Sequence, residues 1–135
     1  MVTAYEQMIS GQPYRGSDPE LLALQAQGQA RLAALNAIPA EDRAARHAAM
    51  RDLFGSMGGP CIVMPPFSVE FGCNIHLGSW VYVNMGATFM DAAPITIGDR
   101  VAIGPNVQFI TPTHPVRPED RFVEGDPDAM PPFAV

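Results

Sequence analysis

The sequence predicts a mainly β fold: an incomplete left-handed parallel β-helix of hexapeptide repeats behind a small α-helical N-terminal domain. Three observations predict it. First, Ile75, Val81 and Ala87 stand six apart, as do Ile95, Val101 and Val107, and a second apolar residue follows each by two positions (Leu77, Val83, Phe89, then Ile97, Ile103, Phe109). Second, Gly78, Gly98 and Gly104 recur three residues after the first apolar member of their repeats, as tight turns between very short strands require. Third, composition changes at Gly58-Gly59-Pro60, from Ala- and Leu-rich to Val-, Ile- and Gly-rich. A period of six is neither the 3.6 of a helix nor the two of a half-buried strand. It fits a solenoid whose rungs stack three repeats apart, at about eighteen residues per coil. The register slips by two residues at Ala92-Ala93-Pro94.

The chain divides into a helical domain (1–57), hexapeptide coils (58–114) and a loop rich in Pro and acidic residues (115–135). Residues 1–10 form a helix that ends at Gly11-Gln-Pro13, and Tyr14 to Ser17 is a loop. Asp18 caps the next helix, with Pro19 in its first position and Glu20 in its first turn. That helix carries Leu21, Leu22, Leu24, Leu32 and Leu35 and stops near Asn36, before Pro39. A third helix is expected from about Ala40 to Leu53, with Gly55 as its stop and Met50, Leu53 and Phe54 against the next layer. Cys61 to Cys73 reads as imperfect repeats forming the first coil. The regular repeats follow, and Thr111-Pro-Thr-His114-Pro115 leaves the solenoid.

The 135 residues suit one modest domain, and the net charge of -6 argues against nucleic-acid binding, which needs a basic face to replace phosphate counterions. No apolar run approaches the roughly 20 residues that span a bilayer, and no secretory signal opens the chain. Cys61 and Cys73 show no disulfide framework and read as buried thiols of a cytoplasmic protein.

The motifs Asn74-Ile-His-Leu-Gly78, Asn84, Asp91, Ile97-Gly98-Asp99, Ile103-Gly104-Pro105-Asn106-Val107 and Thr113-His114-Pro115 resemble the maltose/galactoside O-acetyltransferases. So do Tyr5 to Tyr14, Ser17-Asp-Pro-Glu20 and Leu53-Phe-Gly55 at the helical start, which correspond to that family's maltose-acetyltransferase N-terminal domain. The resemblance implies acetyl-CoA as cosubstrate, a sugar or glycoside acceptor, and a homotrimer with active sites between subunits. Moving an acetyl group from a thioester to a hydroxyl needs a base near neutral pKa, which His supplies. The resemblance assigns that role to His114. It places Asn84 and Asp91 at the acceptor, where an amide both donates and accepts. Stacking at a solenoid turn is the competing reading of Asn84, and a turn residue that of Asp91. Glu70 falls at a polar position of the acceptor site, and Tyr14 and Arg15 in the loop that helps close it. Glu124 is a candidate to orient the imidazole. His76 reads as structural, and no metal is expected, since scattered histidines do not make a three-ligand zinc site.

Relatives of this kind continue for several more coils, which carry most of the coenzyme-binding residues, so no such residue is assigned here. Two functions compete. One is a sugar O-acetyltransferase. The other is a non-catalytic truncated relative that keeps the acceptor half-site and the oligomer contacts.

Overall fold

The computed structural model describes residues 1–121 and the backbone of residues 132–133. Helix α1 (Ala4–Ile9) starts in a capping box: the Thr3 hydroxyl accepts from the Glu6 N–H at 3.1 Å, and the Glu6 carboxylate accepts from the Thr3 N–H at 2.8 Å. Two orphan donors are thereby satisfied reciprocally. Tyr14–Arg15 is a short strand, β1, where a loop was expected. Helix α2 (Pro19–Ala37) begins as the sequence dictates, with the Asp18 carboxylate accepting from the Glu20 N–H at 2.9 Å and Pro19 at its first position. Helix α3 spans Arg43–Leu53. It starts later than the expected Ala40, because the Asp42 side chain is its cap and accepts from the Ala45 N–H at 3.2 Å.

Nine short strands follow as three coils. They are β2 (Ser56–Met57), β3 (Cys61–Val63) and β4 (Ser68–Val69); then β5 (Ile75–Leu77), β6 (Val81–Val83) and β7 (Thr88–Met90); then β8 (Ile95–Ile97), β9 (Ala102–Ile103) and β10 (Gln108–Ile110). They build three parallel sheets, β2-β5-β8, β3-β6-β9 and β4-β7-β10, the walls of a left-handed β-helix. Cross-coil partners are twenty positions apart: Cys61 pairs with Val81, Tyr82 with Ala102, Ser68 with Thr88, and Thr88 with Gln108. The expected eighteen is corrected to twenty, because the two-residue slip is a property of every turn of the solenoid. It falls at one corner, as Phe71-Gly72-Cys73-Asn74 between β4 and β5 and as Asp91-Ala92-Ala93-Pro94 between β7 and β8. The first coil also starts earlier than the expected Cys61, since Ser56 and Met57 pair with His76 and Leu77.

The inward residues of each rung, among them Val63, Val69, Ile75, Val83 and Phe89, form one core that continues into Leu32, Leu35, Met50 and Leu53 of α2 and α3. The helices therefore close the first coil. The Arg46 guanidinium fastens them, donating to the carbonyls of Leu35 (2.9 Å), Ile38 (3.0 Å) and Val63 (3.0 Å). A smaller cluster of Met8, Tyr14, Leu21, Phe71 and Ala92 packs α1, β1 and α2 on the two-residue corner. Beyond β10, Pro118–Asp120 is a 3₁₀ turn. Strand β11 (Pro132–Phe133) pairs antiparallel with β1, so this stretch, expected to be a loop, contributes a strand. Among the described residues no helix is long and apolar enough to cross a membrane.

Candidate active site

The two-residue corner brings together Tyr14, Glu70 and Asp91. Asp91 follows β7 directly and is 0% exposed. One of its carboxylate oxygens accepts from the N–H groups of Glu70 (3.1 Å) and Phe71 (2.8 Å), and the other from the Asn74 N–H (3.2 Å). Burial pushes the Asp91 carboxyl up from its ordinary value, against the pull of the N–H groups of Phe71 and Asn74. The corner needs such an acceptor: Phe71 and Asn74 leave the strand ladder, so their N–H groups have no rung to pair with, whereas the Glu70 N–H is shared with the Phe89 carbonyl at 2.9 Å.

Asn74 completes this arrangement. Its side-chain amide donates to the Asp91 carbonyl at 2.7 Å, and its amide oxygen accepts from the Tyr5 hydroxyl at 2.7 Å. Helix α1 is tied to the solenoid through these two bonds. Sequence reasoning quoted Asn74 within a motif and gave neither it nor Tyr5 a role. The twenty-residue spacing, which sets Asn74 and its neighbours against Pro94, was the signal that marks them as the repeated corner.

Glu70 leaves β4 at the same corner. Burial, then the nearby Asp91 charge, pushes its carboxyl up. Its Oε2 is enclosed and makes no hydrogen bond among the described residues. Tyr14 is 5% exposed, and burial with Glu70 nearby pushes its phenol up to about 12. Arg15, its neighbour on β1, is exposed.

Asn84 lies elsewhere, at the corner before β7, so β7 separates it from Asp91. Its N–H donates to the Ile103 carbonyl (2.9 Å), and its side-chain oxygen accepts from the Met85 N–H (2.8 Å). Its Nδ2 makes no hydrogen bond among the described residues. His114 is exposed on the segment leaving β10. Thr111 anchors that segment to the two-residue corner: its hydroxyl donates to the Met90 carbonyl (2.7 Å) and accepts from the Ala93 N–H (2.8 Å). The His114 strap therefore departs from beside Asp91, while Asn84 lies at the far end of β7. Glu124 lies outside the described residues. His76 projects from the outer face of β5, its Nδ1 2.9 Å from the Ser56 hydroxyl. Among the described residues no three His, Cys, Asp or Glu side chains converge to hold a metal ion.

Comparison with known proteins follows the same two-part plan. A family profile described as the maltose acetyltransferase hexapeptide capping motif matches residues 7–58. The sophorolipid acetyltransferase of Starmerella bombicola is 40% identical over 126 residues, which cover 87% of this chain and 49% of that protein. A hexapeptide-repeat containing acetyltransferase of Vibrio cholerae, solved in complex with acetyl coenzyme A, superposes with a TM-score of 0.80 at 39% identity, covering 88% of this chain and 64% of the other. A maltose O-acetyltransferase from Clostridium difficile superposes with a TM-score of 0.83 at 31% identity, covering 87% and 63%. The chain thus spans about half to two thirds of these relatives.

Proposed function

Because this chain belongs to the hexapeptide-repeat acetyltransferases that carry the maltose-acetyltransferase capping motif, we propose that it acts in moving an acetyl group from acetyl-CoA to a sugar hydroxyl. The observation that carries this reading is the match of cap and coils to an acetyltransferase solved with acetyl coenzyme A. His114 is the general base. It takes the acceptor hydroxyl proton as the oxygen attacks the thioester carbonyl. The proton then passes from the imidazolium to the departing thiolate, so the imidazole is restored and the coenzyme leaves as a thiol.

Asn84 contributes its free amide N–H groups to an acceptor oxygen. Glu70, Tyr14 and Arg15 line the acceptor side at the two-residue corner. Asp91, whose oxygens are committed to main-chain N–H groups, acts as a positioning residue. It fixes the backbone from which Glu70 projects and the corner on which Thr111 seats the His114 strap. The separation of Asn84 from that corner supports sites completed between copies, in a homotrimer.

The test is thiol release from acetyl-CoA by the purified chain, offered a panel of glucosides and galactosides, beside His114→Ala. Sugar-dependent release that falls at least about 100-fold in the variant is expected of a lost general base. Release that is independent of sugar, or unchanged in His114→Ala, would overturn the assignment.

A further inference from the structure

The outward rungs of the three sheets differ in character. Those of β2-β5-β8 read Ser56, His76, Thr96 and are polar. Those of β4-β7-β10 are mixed: Ser68, Thr88, Gln108 form a polar row, and Met90 and Ile110 form an apolar one beside it. The outward rung of β3-β6-β9 reads Ile62, Tyr82, Ala102, and Ile62 and Tyr82 are 38% and 39% exposed. Outward apolar residues on a solvated sheet face mark a surface that takes a ligand or partner.

This face is not flat. The chain entering α3 rises over β3 and encloses a cavity of about 450 Å³, within the roughly 300–1,000 Å³ of small-molecule sites. Met50, Ile62, Met64 and Tyr82 supply its apolar walls, and the exposed Glu41 and Arg43 stand at its mouth. Arg46 also borders it, but its guanidinium is spent on three carbonyls and offers an occupant little. The walls therefore select for an apolar group.

The cavity adjoins the acceptor residue. The Met64 N–H donates to the Val83 carbonyl at 2.9 Å, and Val63 pairs with Val83. Met64 and Asn84 are thus neighbours on adjacent coils, each directly following its strand, β3 and β6, at the same corner. A glycoside whose hydroxyls meet Asn84 has its aglycone within reach of Met64 and the cavity behind it.

We propose that this cleft is an aglycone subsite, and that the acceptor is an amphipathic glycoside carrying an alkyl chain. The inference rests on the acceptor reading of Asn84 given above. Each methylene buried in such a cleft strengthens binding by up to about fourfold. Chain length should therefore be read in KM until the cavity is full.

The experiment compares methyl, butyl, hexyl and octyl β-glucosides, each below its micelle concentration, as acceptors for the full chain. KM is expected to fall along the series and then level off. Ile62→Asp puts a charge in the cleft, and Ala40→Trp fills its mouth (Ala40 lines the cavity). Both should drive the octyl-to-methyl ratio of kcat/KM toward one, a ratio in which any loss common to both acceptors cancels. A flat KM series with transfer intact overturns the subsite and leaves acetyl transfer standing. If no glucoside is acetylated, calorimetric binding of octyl against methyl glucoside still reads the cleft. Octyl-selective binding that Ile62→Asp abolishes upholds the subsite, and equal binding overturns it. A flat series in which Ile62→Asp also dissociates the oligomer assigns the face to a second copy instead.

Discussion

Glu70 is the residue at which structure and chemistry pull hardest against each other. Its Oε2 is enclosed without a hydrogen-bond partner among the described residues, and Asp91 stands close enough to raise its carboxyl further. A buried unpaired charge is expensive, and the group responds by holding its proton more tightly. A carboxyl whose folded pKa is raised binds more protons in the native state than in the unfolded chain. Its contribution to stability is therefore fully present below the ordinary carboxylate pKa and is lost as pH rises through the raised folded value. Glu70→Gln removes this titration. The variant is expected to match the parent at pH values below the ordinary carboxylate range and to be the more stable of the two at neutral pH. Urea midpoints measured across that interval check it. Parallel curves for the two proteins would show that the carboxyl is ionised at no cost, with water or a partner copy satisfying Oε2. Asp91 shifts in the same direction and is coupled to Glu70 through their charges, so the difference between the two proteins reports the Glu70 titration together with that coupling.

Helix α2 shows what an element demands beyond its own propensities. Its start was legible, because Asp18-Pro19-Glu20 is local chemistry. Its seat was not. Gln29 donates to the carbonyls of Val69 (2.7 Å) and Glu70 (3.0 Å), and Asn36 to that of Phe67 (3.2 Å). The helix thereby caps the edge of β4 that no earlier coil covers among the described residues, a long-range service that sequence spacing cannot show. Gly28 is the condition for it. This glycine is buried in the middle of α2, and a Cβ there would meet the Phe71 carbonyl. By propensity alone Gly28→Ala should stabilise the helix by about 1 kcal/mol. The backbone contact should outweigh this, since overpacking against an unyielding neighbour costs about 1–3 kcal/mol and lifting α2 also lengthens the Gln29 bonds. A net loss of about 1–2 kcal/mol, read as a lower urea midpoint at unchanged slope, is expected. A variant at least as stable as the parent would mean that α2 can lift off the corner without cost.

At the scale of the whole molecule, the hexapeptide ladders were legible because inward residues repeat locally, and distinctive short motifs nominate Asn84 and His114 as candidates whose roles the thiol-release assay tests. The coil length and the role of Asp91 were less legible. Both depend on the two extra residues at one corner. Seen once, at Ala92-Ala93-Pro94, these look like an interruption; seen again at Gly72-Cys73-Asn74, they are part of the period. The Tyr5 to Asn74 bond was beyond sequence reasoning, since nothing local links α1 to a corner so far along the chain. The twenty-residue period also makes stability a matter of neighbours, because each rung packs on the rung above and the rung below. Phe89 is 1% exposed. It pairs with Val69 on one side and stacks on Phe109 on the other, with ring centroids 5.0 Å apart and planes at 10°. Phe109 is half-buried and has a rung on one side only among the described residues. Phe89→Ala should therefore cost about 3–5 kcal/mol, as expected of a core aromatic, and Phe109→Ala roughly half of that. Equilibrium denaturation of the two variants, compared at matched slopes, tests the difference. Equal losses would mean that Phe109 is covered as fully as Phe89 in solution, and that the face beyond β10 is not an edge in the working protein.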